Sequence, residues 1–207
     1  MISHMKNILL SSLLLITIGC STHSPDRFNT MAADDYKNDK DFIPFLKIKK
    51  GFHIADIGSG GGYFSYKFSP LVGKDGKVFS VDINSKALEF IKKTAAQKKL
   101  NNLITVKGSF VSSNLKLNSI DLIFLRNTYH DISNRITYFT TLKKVLKKNG
   151  RIAILDYDPD KLNIIRKRFG HQIKKEVIKK EMNKAGYKVI KEYNFLKKQS
   201  FTIFIAE

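Results

Sequence analysis

A seven-stranded, mostly parallel α/β sheet with helices on both faces and a C-terminal antiparallel hairpin is the fold this sequence predicts, on three observations. Apolar runs of strand length alternate with helical patterns from Phe52 onward. A glycine-rich turn, Gly58-Ser59-Gly60-Gly61-Gly62, joins the first such run to the first such helix. The last two apolar runs are separated only by Phe195-Leu196-Lys197-Lys198-Gln199, short enough for a hairpin and too short for another crossover.

The elements follow in order. A helix is expected over residues 34–46, the first strand over 52–57, and a second helix from Tyr63 to about Leu71. Residues 78–83 read as the second strand. Ser85 then caps a helix that places Ala87, Leu88, Ile91 and Ala95 on one face. Residues 103–106 form a short third strand. The fourth, 121–125, is a nearly continuous apolar run of the kind buried on both faces of a parallel sheet. A helix over 134–147 stops at Asn149-Gly150, ahead of a fifth strand at 151–155. A helix over 174–185 ends at Gly186, and strands at 187–193 and 200–206 make the closing hairpin.

At 207 residues, 43% of them hydrophobic, the chain can bury a substantial core in one domain without disulfides. Its single cysteine, Cys20, has another setting. Lys6 precedes an apolar run over residues 8–18 that ends in Gly19-Cys20. That run is shorter than the ~20 residues a membrane span needs and has the form of a signal peptide. Cys20, directly after a small residue, resembles the lipobox of bacterial lipoproteins, although Thr17 departs from the leucine common three positions before the cysteine. The expected organisation is a signal peptide at 1–19, a tether at 20–33 attached to lipid through Cys20, and one domain at 34–207. A membrane-anchored lipoprotein of the bacterial cell envelope follows, with the cytoplasmic face of the membrane as the alternative.

Charge and spacing point to a cofactor. Glycines let backbone take positive φ at the carboxyl end of a strand, where open α/β sheets bind ligands. The dinucleotide fingerprint is not met, because counting from Gly58 and Gly60 puts Tyr63 where the third glycine belongs. Asp56 stands two residues before the first glycine. A carboxylate there repels a pyrophosphate by several kcal/mol at ~4 Å and attracts an ammonium. The second strand ends in Asp82, suited to accept hydrogen bonds from both hydroxyls of a ribose. An ammonium at Asp56 and a ribose at Asp82 describe S-adenosylmethionine.

In order and spacing, Asp56-Ile57-Gly58-Ser59-Gly60-Gly61-Gly62, Val81-Asp82-Ile83 and Asp121-Leu122-Ile123-Phe124-Leu125 resemble the cofactor strands of the class I S-adenosylmethionine-dependent methyltransferases. The resemblance runs from Asp34 to Glu207 and implies a Rossmann-like fold. It implies that Asp56, Gly58, Gly60 and Gly62 hold the methionine end, Asp82 the ribose, and the Gly108-Ser109-Phe110 turn the adenine, with Asn127 among the cofactor-binding residues. Many relatives carry an acid where Ser109 stands; a serine hydroxyl can still accept the adenine amino group.

Methyl transfer is an in-line attack on a sulfonium methyl, so the protein must orient the nucleophile and, for a hydroxyl or amine, remove its proton. Candidates cluster in Arg126-Asn127-Thr128-Tyr129-His130-Asp131, after the fourth strand. His130 is the candidate general base, since its ordinary pKa lies near neutrality, and Tyr129 stands beside it. Asp156, Tyr157 and Asp158 end the fifth strand, and His171 follows the basic stretch 166–170. Asp156 and Asp158 have no third ligand at convincing spacing, so no metal is expected. An Asn/Asp-Pro-Pro-aromatic signature is missing after the fourth strand, and Cys20 lies in the export segment. Both absences weigh against methylation of a base and toward a small-molecule or lipid-like acceptor. A noncatalytic cofactor-binding envelope lipoprotein and an RNA methyltransferase are the alternatives.

The formal charge of +19 fits several partners. Only six of the 37 basic residues are arginine, whereas bidentate reading of phosphates and bases favours arginine. The lysines fall in dispersed pairs such as Lys92-Lys93, Lys143-Lys144 and Lys179-Lys180. Solvated helix faces are the first reading, an anionic membrane surface the second and nucleic acid the third.

Overall fold

The computed structural model describes residues 24–37, 41–168 and 170–207. The expected signal peptide and Cys20 lie outside the described residues. Seven strands form one sheet: β1 (His53–Ile57), β2 (Lys77–Asp82), β3 (Leu103–Lys107), β4 (Ile120–Arg126), β5 (Leu146–Tyr157), β6 (Tyr187–Tyr193) and β7 (Gln199–Ala206). Their order is β3-β2-β1-β4-β5-β7-β6. Every pairing is parallel except those of β7, which runs antiparallel to both β5 and β6. The expected sheet, with its C-terminal hairpin, is the sheet observed.

Helices α1 (Pro25–Lys37), α2 (Tyr63–Val72), α3 (Ser85–Gln97), α4 (Arg135–Lys143), α5 (Ile164–Lys167) and α6 (Lys175–Lys184) complete the fold. Side-chain alternation along β4 divides the core. Leu122 and Phe124 face a cluster with Phe64 and Phe68 of α2, while Ile123 and Leu125 face one with Phe139 of α4 and Met182 of α6. Both faces of the central strand are therefore dry, as its unbroken apolar sequence requires. The four apolar positions expected on one face of α3 are all buried.

Three expectations shift. The first helix begins at Pro25, not near residue 34, so most of the expected tether is helical. Pro25 suits a first helical position, and Ser24 Oγ accepts from Arg27 N at 3.3 Å. The later part of the expected helix is only a short 3₁₀ turn, Ile43–Leu46. At α3 the cap is Asn84, whose side chain accepts from Lys86 N and Ala87 N, and Ser85 is the first helical residue. α4 stops at Lys143 because the next residues are drawn to the sheet edge: Asn118 N bonds Lys144 O and Ser119 N bonds Val145 O. Among the described residues no helix is long and apolar enough to cross a membrane.

Candidate active site

β1 pairs with β2 on one side and β4 on the other, so the chain leaves the sheet in opposite directions at their carboxyl ends and opens a crevice there. The glycine turn forms its floor. Gly58, Gly60 and Gly62 have φ of +71°, +54° and +84°. At Gly58 a β-carbon would fall 2.3 Å from the Thr128 side chain, which closes on the turn from the end of β4. At Gly61 it would fall 2.0 Å from Pro25 O and 2.5 Å from Asn29 Oδ1. The bare peptide at Gly61 thus admits α1, which lies directly on the turn.

Asp82, at the tip of β2, fastens the turn. Its Oδ2 accepts from Gly60 N at 2.8 Å and its Oδ1 from Asn84 N at 2.8 Å. A carboxylate offers about four lone-pair sites, so acceptors remain for ribose hydroxyls. A small cleft opens beside it, with Ser109, Phe110, Thr128, Asp131 and Tyr138 among its walls. Ser109 Oγ already accepts from Ser112 N at 3.0 Å and Val111 N at 3.3 Å, which makes it the organiser of its own turn. The Phe110 ring is exposed.

Asp56 departs from the expectation that it reaches the ligand directly. It is only 4% exposed and is not a wall of the cleft. It shares a strand face with Ile54, which packs toward α2, and there its Oδ2 accepts from Ser65 Oγ at 2.6 Å. Ser65 Oγ in turn accepts from Ser80 Oγ at 2.7 Å. Burial pushes the Asp56 pKa up to about 7; the Ser65 hydrogen bond pulls it down and the charge of Asp82 adds to the rise.

Two more expected site residues are structural. Tyr129 is fully buried, stacks on Phe139, and donates its hydroxyl to Glu181 Oε2 at 2.9 Å. Burial and the Glu181 carboxylate hold its pKa above the ordinary tyrosine range, so it is no candidate for proton transfer. Arg135 grips the same carboxylate with two nitrogens, at 2.7 and 3.0 Å. Asn127 accepts through Oδ1 from Gln199 Nε2 and donates its N–H to Leu155 O, tying β4 to its neighbours outside the cleft.

His130 sits in the short turn after β4, between cleft walls Thr128 and Asp131 in sequence and not itself a wall of the cleft. Its Nδ1 lies 2.6 Å from Asp156 Oδ1, its backbone N–H donates to Asp156 Oδ2 at 3.2 Å, and its Nε2 lies 3.5 Å from Asp131 Oδ1. Burial works against a charged ring, but the Asp156 hydrogen bond and charge outweigh it, and the pKa lies above the ordinary histidine value. The His171 ring meets that of His130 edge to face at 5.5 Å. Asp158 points elsewhere, accepting from Asp160 N at 3.1 Å, so Asp156 and Asp158 do not converge.

Sequence reasoning missed α1. Its Asp35 carboxylate pairs with Arg126 Nη2 at 3.3 Å and Lys198 Nζ at 3.7 Å and takes the Tyr157 hydroxyl, fixing the helix across the strand ends. Thr128 stood in the candidate cluster after the fourth strand but not as the neighbour of Gly58, and Tyr138 was missed. The Thr128 signal lay in the turn itself, since a glycine without room for a side chain implies a close neighbour. The residues fit S-adenosylmethionine: Asp82 keeps free acceptors at the cleft wall, and Ser59 Oγ is buried in the glycine turn without a partner among the described residues.

A family model described as a methyltransferase domain matches residues 48–200. The ubiquinone/menaquinone biosynthesis C-methyltransferase of Pseudoalteromonas translucida is 30% identical over 128 residues, 59% of this chain and 49% of that protein. Its counterpart from Haemophilus ducreyi is 30% identical over 116 residues, 53% of this chain and 43% of that protein. The chain thus spans about half the length of the curated relatives it matches. Among solved structures, an S-adenosylmethionine-dependent methyltransferase from Aquifex aeolicus aligns with a TM-score of 0.78 at 21% identity, over 89% of this chain and 100% of that one.

Proposed function

This chain belongs to the class I S-adenosylmethionine-dependent methyltransferase family, and from that premise we propose that it moves the cofactor's methyl group to a small-molecule or lipid-like acceptor. One observation carries the reading: a single acid, Asp82, both braces the glycine turn through Gly60 N and walls the adjoining cleft. Bound there, the cofactor supplies the electrophilic methyl group. Asp82 would hold the ribose, the turn of Ser109 and Phe110 would border the adenine, and Thr128 would close the floor beside Gly58. Asp56 supports the turn from beneath through Ser65. The rim at His130 and Asp131 is left for the acceptor.

Titration calorimetry with S-adenosylmethionine and its demethylated product tests the donor half. Saturable binding is expected, weakened at least about tenfold in Asp82→Ala, since losing two charge-assisted hydrogen bonds is worth more than 1.4 kcal/mol. Affinity unchanged by that substitution refutes the assignment. Isotopic methyl supplied from labelled donor to fractionated small-molecule, lipid, protein and RNA pools tests the acceptor half; label confined to RNA would replace our acceptor class.

The setting we propose is a membrane anchor through lipid on Cys20, supported by the apolar run and the Gly19-Cys20 pair. Metabolic labelling with a fatty acid, lost in Cys20→Ala, is the expected result; a protein recovered unacylated overturns it.

A further inference from the structure

His130, Asp131 and His171 bring two imidazole nitrogens and a carboxylate oxygen within 4.8 Å of one another beside the cleft. His130 Nε2 and His171 Nδ1 each stand 3.5 Å from Asp131 Oδ1. Charge-assisted hydrogen bonds run to about 2.7–2.9 Å, so neither contact is a good one. Ligand atoms placed tetrahedrally at about 2.0–2.1 Å from a zinc ion lie ~3.3 Å apart, close to the two nitrogen–carboxylate spacings; the two imidazole nitrogens, within 4.8 Å of each other, need only a turn of the exposed His171 ring to close on an ion.

The other half of the arrangement lies behind His130. Asp156 is fully buried, and its two oxygens take the ring Nδ1 at 2.6 Å and the backbone N–H at 3.2 Å. A carboxylate on Nδ1 keeps that nitrogen protonated and leaves the Nε2 lone pair free toward Asp131 and His171. Ligating histidines are oriented in this way. The chain on the far side of His171 is held by its two following residues: the Gln172 side chain donates through Nε2 to Lys167 O at 2.8 Å, and Ile173 N donates to Tyr157 O at 2.9 Å. The segment is thereby tied to the end of β5, the strand that carries Asp156.

We propose that His130 Nε2, the Asp131 carboxylate and His171 Nδ1 bind one divalent transition-metal ion, with zinc the best match, and that Asp156 is the positioning residue for His130. Two imidazoles and a carboxylate suit a borderline ion better than calcium or magnesium, which take all-oxygen sets. Three protein ligands leave a position open, as catalytic zinc sites do. Asp131 also walls the cleft, so an acceptor oxygen is the group to fill that position, and His130 is then a ligand and not the base. This last step rests on the methyl-transfer reading; the metal site does not.

The test uses the untagged full chain, stripped with a chelator and titrated with zinc in competition with a chromophoric chelator, then with cobalt(II) to read coordination from its visible absorption. One ion per chain and a four- or five-coordinate cobalt spectrum are expected. His171→Ala removes an exposed side chain, so folding is not at stake, and it should lower affinity at least about 100-fold; Asp156→Asn should cost about 10–100-fold. No saturable one-to-one event, or an affinity indifferent to both His171→Ala and Asp131→Ala, overturns the site. Donor binding measured on His171→Ala, whose side chain is not a wall of the cleft, separates the two readings, because it should persist when the ion is lost. Methyl transfer into extracts that survives metal removal would overturn the acceptor-oxygen step, while the titrations alone decide the metal site.

Discussion

Asp56 carries the sharpest prediction at the scale of single residues. Its pKa of about 7 in the fold exceeds the ordinary 3.8, because burial penalises the charge more than Ser65 relieves it. A carboxyl raised in this way keeps a proton in the fold that the unfolded chain has released, so stability falls as pH rises from about 4 to about 7. Urea unfolding across that window should show a loss of a few kcal/mol, and Asp56→Asn should flatten it. A slope unchanged in the variant would place the cause elsewhere. The position of Asp82 was legible from sequence, because a strand that ends there carries the acid to the crevice. Asp56 was legible as an acid beneath the turn and not as a buried one. Its partner Ser65 lies 9 residues along the chain and the Ser80 that donates to Ser65 a further 15, and no local pattern connects them.

Among the elements, the glycine turn and the α4–α6 junction depend on different physics. Gly58→Ala must place a methyl group in left-handed backbone and within 2.3 Å of Thr128, which should cost about 1–3 kcal/mol and weaken donor binding. Pairing it with Thr128→Gly should recover part of that loss, the part due to collision, and leave the part due to φ; thermal melts of the four proteins in the cycle give both. At the junction, Glu181 holds Tyr129 and Arg135 together. Glu181→Ala strands a buried hydroxyl and a guanidinium, so about 1–3 kcal/mol should be lost in denaturant unfolding, whereas Val177→Ala on the exposed side of α6 should change little. Elements with a strong period were readable in advance, α3 above all. α1 was not, because nothing in residues 25–37 announces what they will cover, and its mate at Gly61 reads in sequence as one more flexible position.

For the molecule as a whole, the apolar runs and their connections determined the sheet, including the antiparallel β7, since a five-residue link cannot cross over. The grouping of His130, Asp131 and His171 was hidden: forty residues separate the first histidine from the second, and only the return of the chain past the end of β5 brings them together. α1 is the earliest described element and rests on the floor of the donor cleft. Strain applied to the chain ahead of Ser24 should therefore reach the glycine turn without crossing the sheet. Coupling a bulky group to Cys20, or immobilising the protein through it, should slow exchange of bound donor in stopped-flow displacement while the melting temperature of the sheet stays where it was. If the proposed attachment at Cys20 holds, its site and the pace at which spent cofactor is traded for fresh would be one property.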